Sequence, residues 1–133
     1  MKKIVIIEKG KDGSYSAYSY DTNTTIVGEG ATASAAKIDF NNAFNELMAY
    51  YNETGEAIPD ELCDVEWEYK YDVASVFDYF DFINVTKFAK RAGINASLMR
   101  QYKTRDMYIS EAQAAKIQNA LQTLGKEMAA VLL

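Results

Sequence analysis

Six cations and no carboxylate fall within residues 84–105, NVTKFAKRAGINASLMRQYKTR: Lys87, Lys90, Arg91, Arg100, Lys103 and Arg105. Guanidinium and ammonium groups make charge-assisted hydrogen bonds to phosphate oxygens, and a guanidinium fork also matches paired acceptors on a planar partner. The rest of the chain is different, since the whole 133-residue sequence carries a formal charge of −5. Residues 1–83 hold six lysines against sixteen acids, a net of −10, whereas residues 84–133 hold eight basic residues against Asp106, Glu111 and Glu127, a net of +5. Such a split marks two functional halves, the second directed at a polyanion.

Other chemistry is excluded by what the chain lacks. There is no His and a single Cys, Cys63, so no Ser-His-Asp triad, Cys-His pair or zinc cluster can form. Only carboxylate, Lys or Tyr chemistry remains. Glu66, Glu68 and Asp72 share one strand face and read as solvated rather than as converging metal-binding carboxylates. Gly28-Glu29-Gly30 is a lone pair of glycines that reads as a turn or bulge, not a phosphate cradle. We therefore assign no catalytic residue, no metal and no cofactor. The lone Cys63 excludes an intramolecular disulfide and fits a reducing compartment. No apolar run spans a bilayer, and the apolar start Ile4-Val5-Ile6-Ile7 is cut short by Glu8-Lys9-Gly10-Lys11-Asp12, so a cytoplasmic protein without a membrane partner is expected.

The elements that must carry the basic stretch follow from periodicity. Ile4-Val5-Ile6-Ile7 is a β-branched strand, and Asp12-Gly13 is a hairpin turn because glycine accepts positive φ. Residues 14–20 form the return strand, and residues 24–27, bounded by Asn23 and Gly28, a third. Ala36, Phe40, Ala43, Phe44, Leu47 and Tyr51 recur at three- and four-residue steps, which predicts a helix over 33–52 with one apolar stripe, stopped at Gly55. Val65, Trp67, Tyr69 and Tyr71 alternate with charged residues, the pattern of a strand with one buried face. That aromatic row is core or interface packing rather than a base-stacking platform, because acids on the other face repel nucleic acid. Beyond Asp72 the period turns helical, with Val73, Val76, Phe77 and Phe80 on one stripe. Asn84 caps a short helix over 85–91, Asn95 another over 96–104, and Ser110-Glu111-Ala112-Gln113 is a capping box for a longer one. Ile117, Ala120, Leu121 and Leu124 line its inner face, and Gly125 either ends or weakens it. The fold class expected is α+β, with an antiparallel βββαβ domain over 1–72 and an all-helical domain over 73–133.

The spacing within the basic stretch now has a reason. Phe88, Ala92, Ile94, Met99 and Tyr102 are apolar where two short crossed helices meet, Ala89 is small at the closest approach, and Gly93 occupies the turn before Asn95. This is the helix-turn-helix pattern. The segment resembles the phage-repressor (Cro-like) class of DNA-binding domain. That resemblance implies a recognition helix over 96–104 in the major groove of double-stranded DNA. Ser97, Arg100, Gln101 and Thr104 are then the candidates for base edges, Arg pairing with guanine and Gln with adenine. Lys87, Lys90, Arg91, Lys103 and Arg105 are the candidates for phosphates.

The first half carries a second resemblance. A strand, Asp12-Gly13, a strand bearing Tyr15, a third strand, Gly28, an Ala-rich helix, Gly55, Ile58-Pro59 and a further strand are similar to the HicB antitoxin family. This resemblance implies a partial ribonuclease-H-like βββαβ domain joined to a C-terminal DNA-binding domain, and a HicA-like toxin, a small RNA-cleaving protein, as partner. The family's Pro-Asp-Leu-Pro-Gly-Cys-type segment is replaced here by Tyr20-Asp21-Thr22-Asn23-Thr24, and the Glu-Glu-Ala start of its helix by Ser34-Ala35-Ala36. A HicB-like, non-enzymatic transcriptional regulator is expected, either the autorepressor of a toxin–antitoxin pair or a stand-alone relative. It should act as a homodimer or higher homo-oligomer, because one such domain contacts few base pairs. The alternative is a protein-interaction module, toxin-neutralising or adaptor, that does not bind DNA.

Overall fold

The computed structural model describes residues 1–104 and 107–133. The protein is α+β, with a mixed four-stranded sheet and five α-helices among the described residues. It divides into two compact units, Met1–Lys70 and Tyr71–Leu133.

In the first unit, β1 (Lys2–Lys9) and β2 (Tyr15–Ser19) form an antiparallel hairpin in the register Val5↔Ser19 and Lys9↔Tyr15. The turn closes through the Gly10 N–H donating to the Ser14 carbonyl at 2.7 Å, with Gly13 at φ 87°. Asp12 braces it, its Oδ1 accepting from both the backbone N–H and the hydroxyl of Ser14. Consecutive Val5, Ile6 and Ile7 are all buried, as the middle of a covered strand requires.

The third strand lies further along than its β-branched residues suggest: β3 is Val27–Gly30, antiparallel to β2, rather than 24–27. Gly28 and Gly30 lie inside it, so they are neither turn, bulge nor phosphate cradle. A Cβ on Gly28 would stand 2.1 Å from the Phe40 nitrogen, and one on Gly30 would stand 2.5 Å from the Ala35 Cβ. The two glycines let the strand backbone lie directly on the helix that follows.

That helix, α1 (Ala33–Thr54), starts at Thr32, whose side chain accepts from the Ala35 N–H, and stops at Gly55 in the left-handed conformation (φ 71°). Ala36 and Phe40 of its stripe are buried, and Ala43, Phe44, Leu47 and Tyr51 are half-buried. A 3-10 turn (Asp60–Leu62) leads to β4 (Glu66–Tyr71), whose Trp67 meets Phe40 and Phe44 edge-to-face at 5.1 and 5.5 Å. The sheet order is β3-β2-β1-β4, so α1 carries the chain from one edge to the other. The sheet is therefore mixed, not wholly antiparallel: a strand reached through a helical crossover runs parallel to the strand before it, and β4 consequently runs parallel to β1.

The second unit begins at Tyr71, which exchanges both backbone hydrogen bonds with Ile109. Asp72 caps α2 (Val73–Tyr79) by accepting from the Ser75 N–H. Next come α3 (Val85–Ala92), α4 (Ala96–Lys103) and α5 (Glu111–Ala129). Val73, Phe77, Phe88, Ala89, Ile94, Met99, Tyr102, Ile109, Ile117 and Ala120 form one buried cluster, with Phe77 and Phe88 5.1 Å apart. Gly125 does not end α5, which continues to Ala129. The capping box is only half made. Ser110 accepts from the Gln113 N–H at 3.3 Å, but the Gln113 side-chain amide donates instead to the Tyr102 hydroxyl, tying α5 to α4. Among the described residues no helix is long and apolar enough to cross a membrane.

Candidate nucleic-acid interface

The site is built on α3, a three-residue turn and α4. Asn84 starts α3, its Oδ1 accepting from the Lys87 N–H at 3.0 Å. Gly93 ends it in the left-handed conformation (φ 70°), with its N–H directed to the Ala89 and Lys90 carbonyls. A side chain at that φ costs backbone energy, which glycine avoids. The Ile94 N–H donates to the Ala89 carbonyl at 3.0 Å, and Asn95 starts α4 by accepting from the N–H groups of Ser97 and Leu98. Each of these contacts spans five residues or fewer, so the turn is specified locally.

Three- and four-residue spacing then sorts the two helices into faces. Phe88, Ala89, Ile94, Met99 and Tyr102 are buried, and Ala92 and Ala96 are half-buried beside them. Lys87, Lys90 and Arg91 of α3, and Ser97, Arg100 and Gln101 of α4, are exposed. Gly93 and Asn95 are exposed at the turn.

The polar side chains are not equally free. An Arg100 Nη2 donates to the Ser97 hydroxyl at 3.1 Å, so these two residues act as a unit on the outer face of α4. The rest of the guanidinium fork has no carboxylate partner among the described residues. Thr104 is turned back, its hydroxyl donating to the Gln101 carbonyl at 3.1 Å, so it is the base-edge candidate least available to a ligand. Lys103, a phosphate candidate, is half-buried and its Nζ lies 2.6 Å from Asp78 Oδ1 on α2. Arg91 likewise pairs with Glu127 on α5. The remaining phosphate candidate, Arg105, lies outside the described residues.

Asp78 and Glu127 are the ion-pair partners of two candidate site residues, and no sequence pattern marks them. They stand 25 and 36 residues from their cations, so no helical spacing announces them. Beside Arg91 a recess of ≈ 260 Å³ is lined by Ala92 of α3 and by Lys116, Asn119 and Thr123 of α5. Lys116, Asn119 and Thr123 form one stripe at helical spacing, a signal present in the sequence that no pattern for nucleic-acid binding picks out.

No family model, curated protein or solved structure matches this chain.

Proposed function

We propose that this protein is a DNA-binding transcriptional regulator whose α3 and α4 form a helix-turn-helix and whose first unit is a HicB-like βββαβ domain. One observation carries the DNA-binding reading: α4 buries Met99 and Tyr102 on one face and exposes Ser97, Arg100 and Gln101 on another, beside the exposed lysines of α3. A helix with that division can enter a major groove without disturbing its own core. Arg100, steadied by Ser97, presents its remaining donors to paired acceptors such as guanine O6 and N7. Lys87 and Lys90 lie on α3 for phosphate contacts, which add affinity without reading sequence.

Arg91 and Lys103 contribute by exchange. Each already has a carboxylate, so a phosphate must replace Glu127 or Asp78. Exposed pairs of this kind are worth about 0–1 kcal/mol, so the exchange is close to neutral and adds little net affinity. The regulator is the autorepressing antitoxin of a pair with a HicA-like toxin, or a stand-alone relative.

The test is fluorescence anisotropy with duplexes of random sequence across a salt series. Binding should weaken with salt, with a log–log slope of about −0.9 per phosphate neutralised. No duplex binding at low salt by a folded protein overturns the reading. The prior pairing of Arg91 and Lys103 also favours a second reading, a protein-interaction module that does not bind DNA, and that same result would support it.

A further inference from the structure

The end of α3 packs on α5 through small residues, and the contact leaves a hollow. Ala92 and Ala120 carry only a methyl group each, and the recess of ≈ 260 Å³ around them is lined otherwise by Arg91, Lys116, Asn119 and Thr123. The polar lining is thus one guanidinium, one ammonium, one amide and one hydroxyl, all of them hydrogen-bond donors. Among the described residues no carboxylate lines it. Three- and four-residue spacing keeps Lys116, Asn119 and Thr123 on one stripe of α5, and all three are exposed. Lys116 has no carboxylate partner among the described residues. Arg91 gives its Nη1 to Glu127, but a guanidinium carries five N–H donors.

We infer that this recess binds a phosphate group, carried either by a DNA backbone or by a free phosphate ester. Four donor side chains outnumber the two oxygens of a carboxylate and match the several oxygens of a phosphate. Two of the four are cations, which make the stronger, charge-assisted bonds to a phosphate anion. The net +5 of residues 84–133 favours any anion near this unit. The size also fits. A water takes about 30 Å³ in the liquid, so the recess holds several waters' worth of volume, enough for a phosphate and part of the group it esterifies. Both members of the Arg91–Glu127 pair are half-exposed, so turning Arg91 toward a phosphate costs little. The DNA source rests on the DNA-binding reading and would extend the contact from α3 and α4 onto α5. The free-ester source does not rest on that reading.

The test titrates inorganic phosphate into the full chain at constant ionic strength, with chloride as the balancing anion, and follows the backbone amides of residues 116–123 and the Asn119 side-chain amide by NMR. Constant ionic strength removes general screening from the signal. The shifts should saturate, with a midpoint in the millimolar range expected of a few exposed contacts. Lys116→Gln should raise that midpoint about fivefold, and Thr123→Val, which removes only a hydroxyl, about twofold. Both side chains are exposed, and circular dichroism checks that each variant stays folded; if one unfolds, the other is read alone. A second arm, duplex anisotropy across a salt series, names the source. A salt slope lowered by about one unit in Lys116→Gln assigns the phosphate to DNA, and an unchanged slope assigns it to a free ester. Wild-type shifts that fail to saturate, or a midpoint indifferent to the variants, overturn the inference whatever the duplex arm gives. The phosphate arm uses no DNA, so a protein that binds phosphate here and no duplex at all refutes the DNA-binding reading and leaves this site standing.

Discussion

Lys103 Nζ lies 2.6 Å from Asp78 Oδ1, joining the last turn of α4 to the last turn of α2. The cation at the end of the proposed recognition helix is thus neutralised from within the same unit. Both side chains are at least a third exposed, so the pair is screened and its contribution to stability is small. Asp78→Asn should change unfolding free energy by less than about 1 kcal/mol while strengthening binding to scrambled duplexes, because Lys103 is released for phosphate. Urea melts and anisotropy measure the two effects separately. Weaker duplex binding in a folded Asp78→Asn protein would assign the pair a purely structural role.

Arg100 should behave differently from the lysines. Arg100→Ala should cost about 1–3 kcal/mol on a duplex recovered by selection from a random pool and relax preference at one base pair. Ser97→Ala, which removes only the hydroxyl that steadies Arg100, should give a smaller loss at the same base pair. Binding isotherms on duplexes substituted one position at a time decide this, and equal losses at every position would remove Arg100 from sequence reading.

Ala89 is fully buried where α3 meets α4. Ala89→Glu forces an unpaired carboxylate into that contact, or protonates it there, at a cost of several kcal/mol. The second unit should lose its helical circular dichroism signal at temperatures where the wild-type protein keeps it.

Gly28→Ala should unfold the first unit. The new Cβ would meet backbone atoms of Phe40 and Ala36 at 2.1 and 2.6 Å, and backbone cannot rotate away as a flexible side chain can. We expect a loss of about 3 kcal/mol or more, seen as a lowered melting transition in the fluorescence of Trp67.

The first unit should also carry an acid-sensitive clasp. Glu61 accepts from the Asn23 and Thr24 N–H groups, each at 2.9 Å, and these bonds hold its carboxyl below the ordinary value of 4.5. A depressed carboxylate contributes stability that is fully present above the unfolded value and is lost as pH falls through the lower folded one. Stability should therefore drop as pH goes below about 4.5, and Glu61→Gln should flatten that limb, because an amide takes up no proton in this range and so has no proton-linked contribution to lose. Denaturant melts across the acid range measure the slope, and an unchanged slope in Glu61→Gln would show that other carboxyls produce it.

The sequence by itself determined what depends on near neighbours. Asn84, Asn95 and Ser110 start helices by accepting backbone N–H groups two or three residues away, and Gly13, Gly55 and Gly93 supply positive φ where the chain turns. The apolar stripe through Phe88, Met99 and Tyr102 is readable because helical geometry alone puts those positions on one face. Tertiary structure decided what depends on which elements become adjacent. Gly28 and Gly30 looked like a turn because their purpose, room for Ala35, Ala36 and Phe40, is visible only once α1 lies on β3. Gln113 looked like the return arm of a capping box until Tyr102 came within reach of its amide. Lys103 and Arg91 read as free cations because Asp78 and Glu127 lie 25 and 36 residues away. Charge interactions depend on distance in space, and only the packing of α2 and α5 around the α3–α4 pair brings those carboxylates near.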